Sequence, residues 1–279
     1  INWTNTGSSR YFASGNGQYV TVSGMERLLL VTGSGNDYID NSAYSTNDDF
    51  RTGSGDDTIK AGAGDDYIDA GSGNDTIEYI GYWPVYNQNH DTVIGGEGVD
   101  ILNIDASQIP PYYDYYSDNS LEFQVEYTNK IVTFDQNTAM YALLAALKAN
   151  PTMFGYTMNR DIQHIRWTSI EKTNVYGSAA DDLIIYQFGN SYHGGDGTDT
   201  FFLDFSTRSD NITWHNTGAE VTLGNSNQVT VSGMERLLVL TGSGADSISN
   251  TTFATNDDIR TGAGNDTVRA GQGNDYVEL

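Results

Sequence analysis

Aspartates recur every nine residues in two parts of the chain, and each follows a Gly-x-Gly triplet. The first array, Gly53–Glu78, reads GSGDDTIKAGAGDDYIDAGSGNDTIE and places Asp57, Asp66 and Asp75 in one frame. Glycine permits tight backbone turns that side chains forbid, so successive carbonyl oxygens can point inward, where the aspartate adds a carboxylate. Hard oxygen ligands in a flexible loop suit Ca²⁺. The spacing therefore predicts calcium binding.

The predicted carboxylate ligands share the sixth position of the nine-residue frame. They are Asp48, Asp57, Asp66, Asp75, Asp257, Asp266 and Asp275. Isolated repeat units add candidates for which an ion ligand and a solvated turn acid remain equal alternatives: Asp37, Asp91, Asp100, Asp182, Asp199 and Asp246. Zinc and copper would require Cys or His, and the chain has no Cys and four scattered His. Neither metal is expected.

An apolar residue stands two positions after each aspartate of the arrays. These residues are Phe50, Ile59, Ile68, Ile77, Ile259, Val268 and Val277. Each repeat therefore ends in a three-residue strand whose central side chain points to one face. One such strand cannot bury its apolar residue alone, but stacked copies bury a ladder along a thin core. A flexible Gly/Asp-rich linker would not keep this phase.

A longer repeat relates the two arrays to each other. The sequence VTVSGMERLL at Val20–Leu29 recurs letter for letter at Val229–Leu238. Residues 212–279 are therefore a second copy of residues 1–70, and residues 169–184 are a diverged third copy. We interpret Glu26, Glu235 and the related Glu171 as structural residues of the strand that leads into each repeat block.

The nonapeptides match the signature G-G-x-G-x-D-x-U-x, and the chain resembles RTX (hemolysin-type calcium-binding) modules of large secreted or cell-surface bacterial proteins. The resemblance implies a parallel β-roll with two nonapeptides per turn and Ca²⁺ between loops one turn apart. It implies three stacked pairs, namely Asp57 with Asp75, Asp48 with Asp66, and Asp257 with Asp275. It also implies carbonyl ligands near Gly53, Gly55, Gly62, Gly64, Gly71, Gly73, Gly262, Gly264, Gly271 and Gly273.

The sequence departs from the family pattern in two respects. In the two arrays, Thr52–Glu78 and Thr261–Glu278, the first position of each nonapeptide is Thr or Ala rather than Gly. Pro84 also stands where another loop is expected. We therefore expect the roll to be interrupted near Pro84.

The region 106–168 breaks the repeat pattern. Residues 121–134 alternate apolar and polar around Thr128 and Asn129, which predicts a hairpin. Residues 138–150 place apolar side chains at helical spacing before Pro151. The sequence thus predicts an all-β fold of parallel β-roll or β-helix solenoid segments with a small α+β insertion. Four domains are expected: a first roll segment (1–105), the insertion (106–168), a degenerate repeat segment (169–211) and a second roll segment (212–279).

Composition narrows the possible partners. The net charge of −24 leaves no basic face for nucleic acid, and no apolar run is long enough to span a membrane. The loop at 109–120 is rich in tyrosine. Tyr112, Tyr113, Tyr115 and Tyr116 are candidates for binding a glycan, and packing against the insertion or a neighbouring module is the alternative. The sequence starts and stops within repeats, so we expect a segment of a longer protein.

The leading hypothesis is a calcium-binding structural module that folds on binding Ca²⁺. We expect it in a long, tandem-repeat, secreted or cell-surface protein of adhesive or filamentous type, with neighbouring copies of the same module as partners. One alternative is a calcium-dependent folding and secretion domain of an RTX toxin or secreted hydrolase. Another is a glycan-binding module that uses the insertion. No catalytic motif accompanies the histidines, so the segment is predicted not to be an enzyme.

Overall fold

Short strands separated by glycine-rich turns make up the regular structure. The computed structural model describes residues 1–4, 10–13, 19–22, 25–80, 89–105, 107, 122–127, 130–133, 156–159, 163–177, 182–186, 189–224 and 228–279. Within these ranges every regular element is a β-strand. The prediction of an all-β fold built from parallel strands is confirmed.

The strands of the first half are β1 (Asn2–Thr4), β2 (Arg10–Ala13), β3 (Tyr19–Val22), β4 (Leu29–Ser34), β5 (Tyr38–Asp40), β6 (Asp49–Ser54), β7 (Thr58–Lys60), β8 (Tyr67–Ser72), β9 (Thr76–Ile80), β10 (Asn89–Glu97), β11 (Ile101–Asp105), β12 (Glu122–Tyr127) and β13 (Lys130–Thr133). Those of the second half are β14 (Tyr156–Asn159), β15 (Gln163–Thr168), β16 (Lys172–Tyr176), β17 (Leu183–Ile185), β18 (Gly189–His193), β19 (Thr200–Asp204), β20 (Thr213–His215), β21 (Val221–Leu223), β22 (Val229–Ser232), β23 (Arg236–Leu240), β24 (Ser247–Ser249), β25 (Asp258–Arg260), β26 (Thr267–Arg269) and β27 (Tyr276–Glu278).

The chain divides into two compact units. The first comprises Ile1–Gln108, Gln124–Ile131 and Thr152–Asn174, and the second comprises Ile109–Phe123, Val132–Pro151 and Val175–Leu279. The four-domain division remains a prediction.

Two parallel sheets form the first unit. One has the order β15-β10-β8-β6-β4, and the other runs β11-β9-β7-β5-β1 before the antiparallel strands β2 and β3. From β4 to β11 consecutive strands alternate between the two sheets, so this part of the chain winds as a solenoid in which two nonapeptides complete one turn. Residues 81–88, where an interruption was expected, lie outside the described residues. Both sheets continue in parallel register beyond them, through β10 and β11.

The core of the first unit is two columns of apolar side chains, one from each sheet. Ile39, Ile59, Ile77 and Leu102 stack in one sheet, and all four are fully buried. Phe50, Ile68 and Val93 stack in the other. The predicted ladder therefore exists as two facing columns. Burial of each such side chain stabilises the fold by about 1.5–3 kcal/mol, and only stacking provides it.

The second unit repeats this plan. Strands β17-β19-β23-β25-β27 form one parallel sheet and β20-β24-β26 another. Strand β22 pairs in parallel with β18 and in antiparallel with β21. The turn formed by β22 and β23 therefore lies on the turn formed by β18 and β19.

The region predicted as an insertion is described only in part. Strands β12 and β13 are neighbours in a three-stranded sheet of order β13-β12-β14, and residues 128–129 separate them, as the predicted hairpin requires. The predicted helix at 138–150 and the tyrosines at 112–116 lie outside the described residues, so the α+β insertion stays a prediction. In the ranges that are described, no helix has the length and apolarity needed to cross a bilayer.

Candidate metal centre

The aspartates at the sixth position form hydrogen-bonded ladders from turn to turn. The main-chain N–H of Asp37 donates to Oδ1 of Asp57 (2.8 Å), and Asp57 donates in the same way to Asp75 (2.8 Å). Asp75 then donates to Asp100 at 2.9 Å. One carboxylate oxygen of each aspartate therefore ties its loop to the loop one turn earlier.

The same arrangement recurs in three further ladders. The donor and acceptor pairs are Leu28 to Asp48, Asp48 to Asp66 and Asp66 to Asp91; Ile212 to Asp246 and Asp246 to Asp266; and Asp182 to Asp199, followed in the same sheet by Leu237 to Asp257 and Asp257 to Asp275. The structure thus brings each of the three expected pairs together one turn apart. It also places the isolated aspartates in the ladders, beside those of the dense arrays.

The second carboxylate oxygen has a different environment. In Asp37, Asp57, Asp66, Asp75, Asp100 and Asp246, Oδ2 is buried and accepts no hydrogen bond within the described part of the chain. Such oxygens are rare, because an unsatisfied buried polar atom costs about 1–3 kcal/mol, and more when it is charged. Six atoms at equivalent positions of a repeat indicate a common missing partner.

At two positions an asparagine supplies that partner. Nδ2 of Asn41 donates to Oδ2 of Asp48 at 2.6 Å, and Nδ2 of Asn250 donates to Oδ2 of Asp257 at 2.7 Å. Both asparagines are fully buried. Calcium ligation by Asp48 and Asp257 remains a prediction, and their second oxygens already accept an amide proton.

Glycine allows the loops to stack closely. Gly55 has φ +122°, and a Cβ there would lie 2.6 Å from the carbonyl carbon of Gly35 and 2.8 Å from its oxygen. A Cβ at Gly64 would lie 2.5 Å from the carbonyl oxygen of Thr46. Side chains at these positions would force consecutive turns apart.

The first glycine of the isolated units creates space for the aspartate itself. A Cβ on Gly95 would lie 2.5 Å from Oδ2 of Asp100, and one on Gly177 would lie 2.6 Å from Oδ2 of Asp182. A main-chain carbonyl oxygen lies closer still, that of Ser169 for Gly95 and that of Gly194 for Gly177, so carbonyl and carboxylate together occupy the volume that a side chain would fill. The carboxylate is held inside a cradle of main-chain atoms.

Burial disfavours the charged form of Asp66, Asp75 and Asp91 and raises the pKa of each. It raises the pKa of Asp66 to about 7 and that of Asp75 to about 6, and the neighbouring carboxylates of Asp48 and Asp57 add to the respective shifts. The pKa of Asp91 lies well above its usual range for the same reason. These three carboxyl groups therefore retain a proton to higher pH than an ordinary aspartate, and a bound cation would favour their charged form.

Two glutamates that we interpreted only as structural close the ladders. Oε2 of Glu171 accepts the N–H of Asp100 at 2.9 Å, and Oε2 of Glu235 accepts the N–H of Asp199 at 2.8 Å. Each takes the position that an aspartate occupies elsewhere. The recurrence of this glutamate before each repeat block was the signal that could have identified it.

The donor set fits Ca²⁺. The buried Oδ2 atoms are carboxylate oxygens, and the carbonyl ligands predicted at the glycine turns are also oxygen atoms, which are the ligands that Ca²⁺ prefers. No group of three acidic or histidine side chains converges among the described residues. Most ligands would therefore be main-chain oxygens of the predicted glycine turns, with the buried Oδ2 atoms as the carboxylate ligands.

Comparison with known families agrees with this geometry. A family model described as the RTX calcium-binding nonapeptide repeat matches four copies in the chain, at residues 42–77, 87–104 and 251–279. These residues include ladder aspartates of both units. No curated protein matches the chain.

Proposed function

Because the chain contains RTX calcium-binding nonapeptide repeats, which are structural repeats that bind Ca²⁺, we propose that it is a calcium-stabilised structural module of a secreted or cell-surface protein. The proposed module has no catalytic activity. The observation that carries this proposal is the set of six buried Oδ2 atoms without hydrogen-bond partners. Binding of Ca²⁺ would supply their missing partner.

Calcium binding should make folding of the module depend on whether it lies inside or outside the cell. The module carries 37 acidic and 13 basic residues, so the compact metal-free state suffers self-repulsion in addition to the burial of its aspartates. Extracellular calcium modules bind at roughly 10⁻⁴–10⁻³ M, a range in which sites are empty in the cytosol and filled outside. Binding free energy then becomes folding free energy. The expected role is to form a stiff spacer between neighbouring modules after secretion.

The first test removes calcium from the whole chain. Metal-free protein should lose most of its β-sheet circular dichroism, and about 1 mM Ca²⁺ should restore it. Magnesium should not, because it demands a small octahedral site and dehydrates reluctantly. A spectrum that is the same with and without calcium would contradict coupled folding.

The second test separates ligation from charge. Asp57→Asn keeps an acceptor for the N–H of Asp37 but replaces the orphaned Oδ2 with an amide nitrogen that cannot bind a cation. Its neighbour Asp56 is exposed, so Asp56→Asn removes the same charge outside the ladder. In a calcium titration, Asp57→Asn should require at least about ten-fold more calcium, and Asp56→Asn less than about two-fold more. Equal effects would mean that Asp57 is not a ligand.

A further inference from the structure

Two glutamates bind the main chain of a ladder aspartate that lies far from them in the sequence. Oε2 of Glu171 accepts the N–H of Asp100 at 2.9 Å, and the carbonyl oxygen of Asp100 accepts the N–H groups of Glu171 and Lys172 at 3.2 and 3.0 Å. Glu235 and Asp199 repeat this pattern, with 2.8 Å from the N–H to Oε2. We call these two places the junctions: segment 95–100 with 169–172, and segment 194–199 with 233–236.

Asp100 places a second, buried oxygen at the first junction. The residue is fully buried, and its Oδ2 accepts no hydrogen bond within the described part of the chain. A Cβ built on Gly95 would lie 2.5 Å from this Oδ2 and closer still to the carbonyl oxygen of Ser169. Two oxygen acceptors held this close together repel each other unless a proton or a cation lies between them. They are also close enough to contact one Ca²⁺, whose ligands lie at about 2.3–2.6 Å.

Ser169 has a backbone conformation that serine rarely adopts. Its φ is +51°, and among the residues that the structure describes it is the single non-glycine residue with a positive φ. The equivalent residue, two positions before Glu235, is Gly233, with φ +61°. A Cβ on Gly194 would meet the carbonyl oxygen of Gly233 and Oδ2 of Asp199, as at the first junction. Backbone strain of this kind persists where the surroundings fix it, and it is common at ligand sites.

The glutamate supplies a charge as well as a hydrogen-bond acceptor. The N–H of Asp100 requires only an acceptor, which a glutamine side chain offers equally well. Glu171 instead brings a second carboxylate to Asp100, whose own carboxylate is buried, and neighbouring like charges disfavour each other. A cation turns this repulsion into attraction. Two carboxylates and a main-chain carbonyl are oxygen ligands of the kind that Ca²⁺ prefers.

We propose that Ca²⁺ binds at each junction, with Glu171 and Asp100 as its carboxylate ligands at the first and Glu235 and Asp199 at the second. The carbonyl oxygen two residues before the glutamate is a further ligand. This inference rests on the proposed calcium-stabilised module and adds two glutamates to its ligands. The ion fastens segments that are 71 and 36 positions apart. Closing a long loop costs more chain entropy than closing a short one, so these junctions gain most from a metal tie.

Hydrogen–deuterium exchange of the full chain during a calcium titration tests each junction separately, because exchange reports local opening. Glu171→Gln keeps an acceptor for the N–H of Asp100 but loses the charge that binds the ion. Protection of segments 95–100 and 169–172 should then require at least about ten-fold more calcium, since ligand charge sets calcium affinity. Glu235→Gln should have the same effect on segments 194–199 and 233–236.

Three variants serve as controls. Glu97→Gln removes an exposed acid from the loop of Asp100, and Glu220→Gln removes another exposed acid from the second unit. Each should shift the calcium midpoint of its junction by less than about two-fold. Glu171→Asp restores the residue type that holds this position elsewhere in the ladders, and it should stay within about three-fold of the unaltered chain.

The comparison of aspartate with glutamine at position 171 decides the assignment. Protection at lower calcium in Glu171→Asp than in Glu171→Gln supports a calcium ligand, even where the glutamine variant stays unprotected at every concentration. An aspartate variant no better than the glutamine variant, or a glutamine variant equal to Glu97→Gln, would overturn the assignment and leave calcium-coupled folding of the other turns intact. An unaltered chain in which calcium protects no segment would instead contradict the proposed function.

Discussion

Three glycines of adjacent turns provide a graded test of loop stacking. A Cβ on Gly33 would meet nothing within 4 Å, and its φ is not in the left-handed region. Gly35 has φ +121° but again open space around a Cβ. Gly55 has nearly the same φ, +122°, and a Cβ there would collide with the main chain of Gly35 and Asn36 at 2.6–2.9 Å. Alanine at Gly33 therefore adds neither backbone strain nor a collision, alanine at Gly35 adds backbone strain alone, and alanine at Gly55 adds both.

The expected losses follow from these differences. Gly33→Ala should change the free energy of unfolding by less than about 0.5 kcal/mol. Gly35→Ala should cost about 1–3 kcal/mol through backbone strain alone. Gly55→Ala should cost a further 1–3 kcal/mol or so, because the colliding atoms belong to the main chain and the turns must separate. For a chain of this size each kcal/mol lowers Tm by about 2–4 °C.

The assay is urea and thermal unfolding in saturating calcium. The comparison that decides is Gly55→Ala against Gly35→Ala, because their φ angles match and only the stacking contact differs. Equal destabilisation by these two substitutions would refute the close stacking of the turns, and with it the cradle in which the carboxylates lie.

Two further outcomes are expected. Without calcium, burial raises the folded-state pKa of Asp66 to about 7, above an unfolded value of about 4, so the stability it contributes is present below about pH 4 and is lost as pH rises through about 7. The β-sheet circular dichroism that metal-free protein retains should therefore be larger at about pH 5.5 than at about pH 8, and calcium should reverse that order. Asn250→Ala removes the amide that donates to Oδ2 of Asp257 and to the carbonyl oxygen of Glu235, and it should lower the free energy of unfolding by about 2–3 kcal/mol. Alanine at the exposed Thr252 is the control and should have little effect. Similar urea midpoints for the two variants would show that the Asn250 amide does not stabilise this carboxylate.

Sequence alone was sufficient where the repeat is uninterrupted. The nine-residue phase of Asp57, Asp66 and Asp75, with an apolar residue two positions later, predicts both the parallel ladders and the buried carboxylates. It does so because a strand of three residues can bury its central side chain only against copies of itself. A sequence that keeps this phase can therefore bury its apolar residues only by stacking its repeats.

Tertiary structure decided which residues meet across interruptions. Asp66 reaches Asp91 over 25 positions, and Asp100 reaches Glu171 over 71, spacings that no nine-residue frame contains. It also decided that Asn41 and Asn250 each donate a hydrogen bond to one carboxylate. The physical reason is that a solenoid turn can stack on any preceding turn that offers a free hydrogen-bonding edge. The number of residues between the two turns does not affect this stacking, so the repeat sequence does not reveal it.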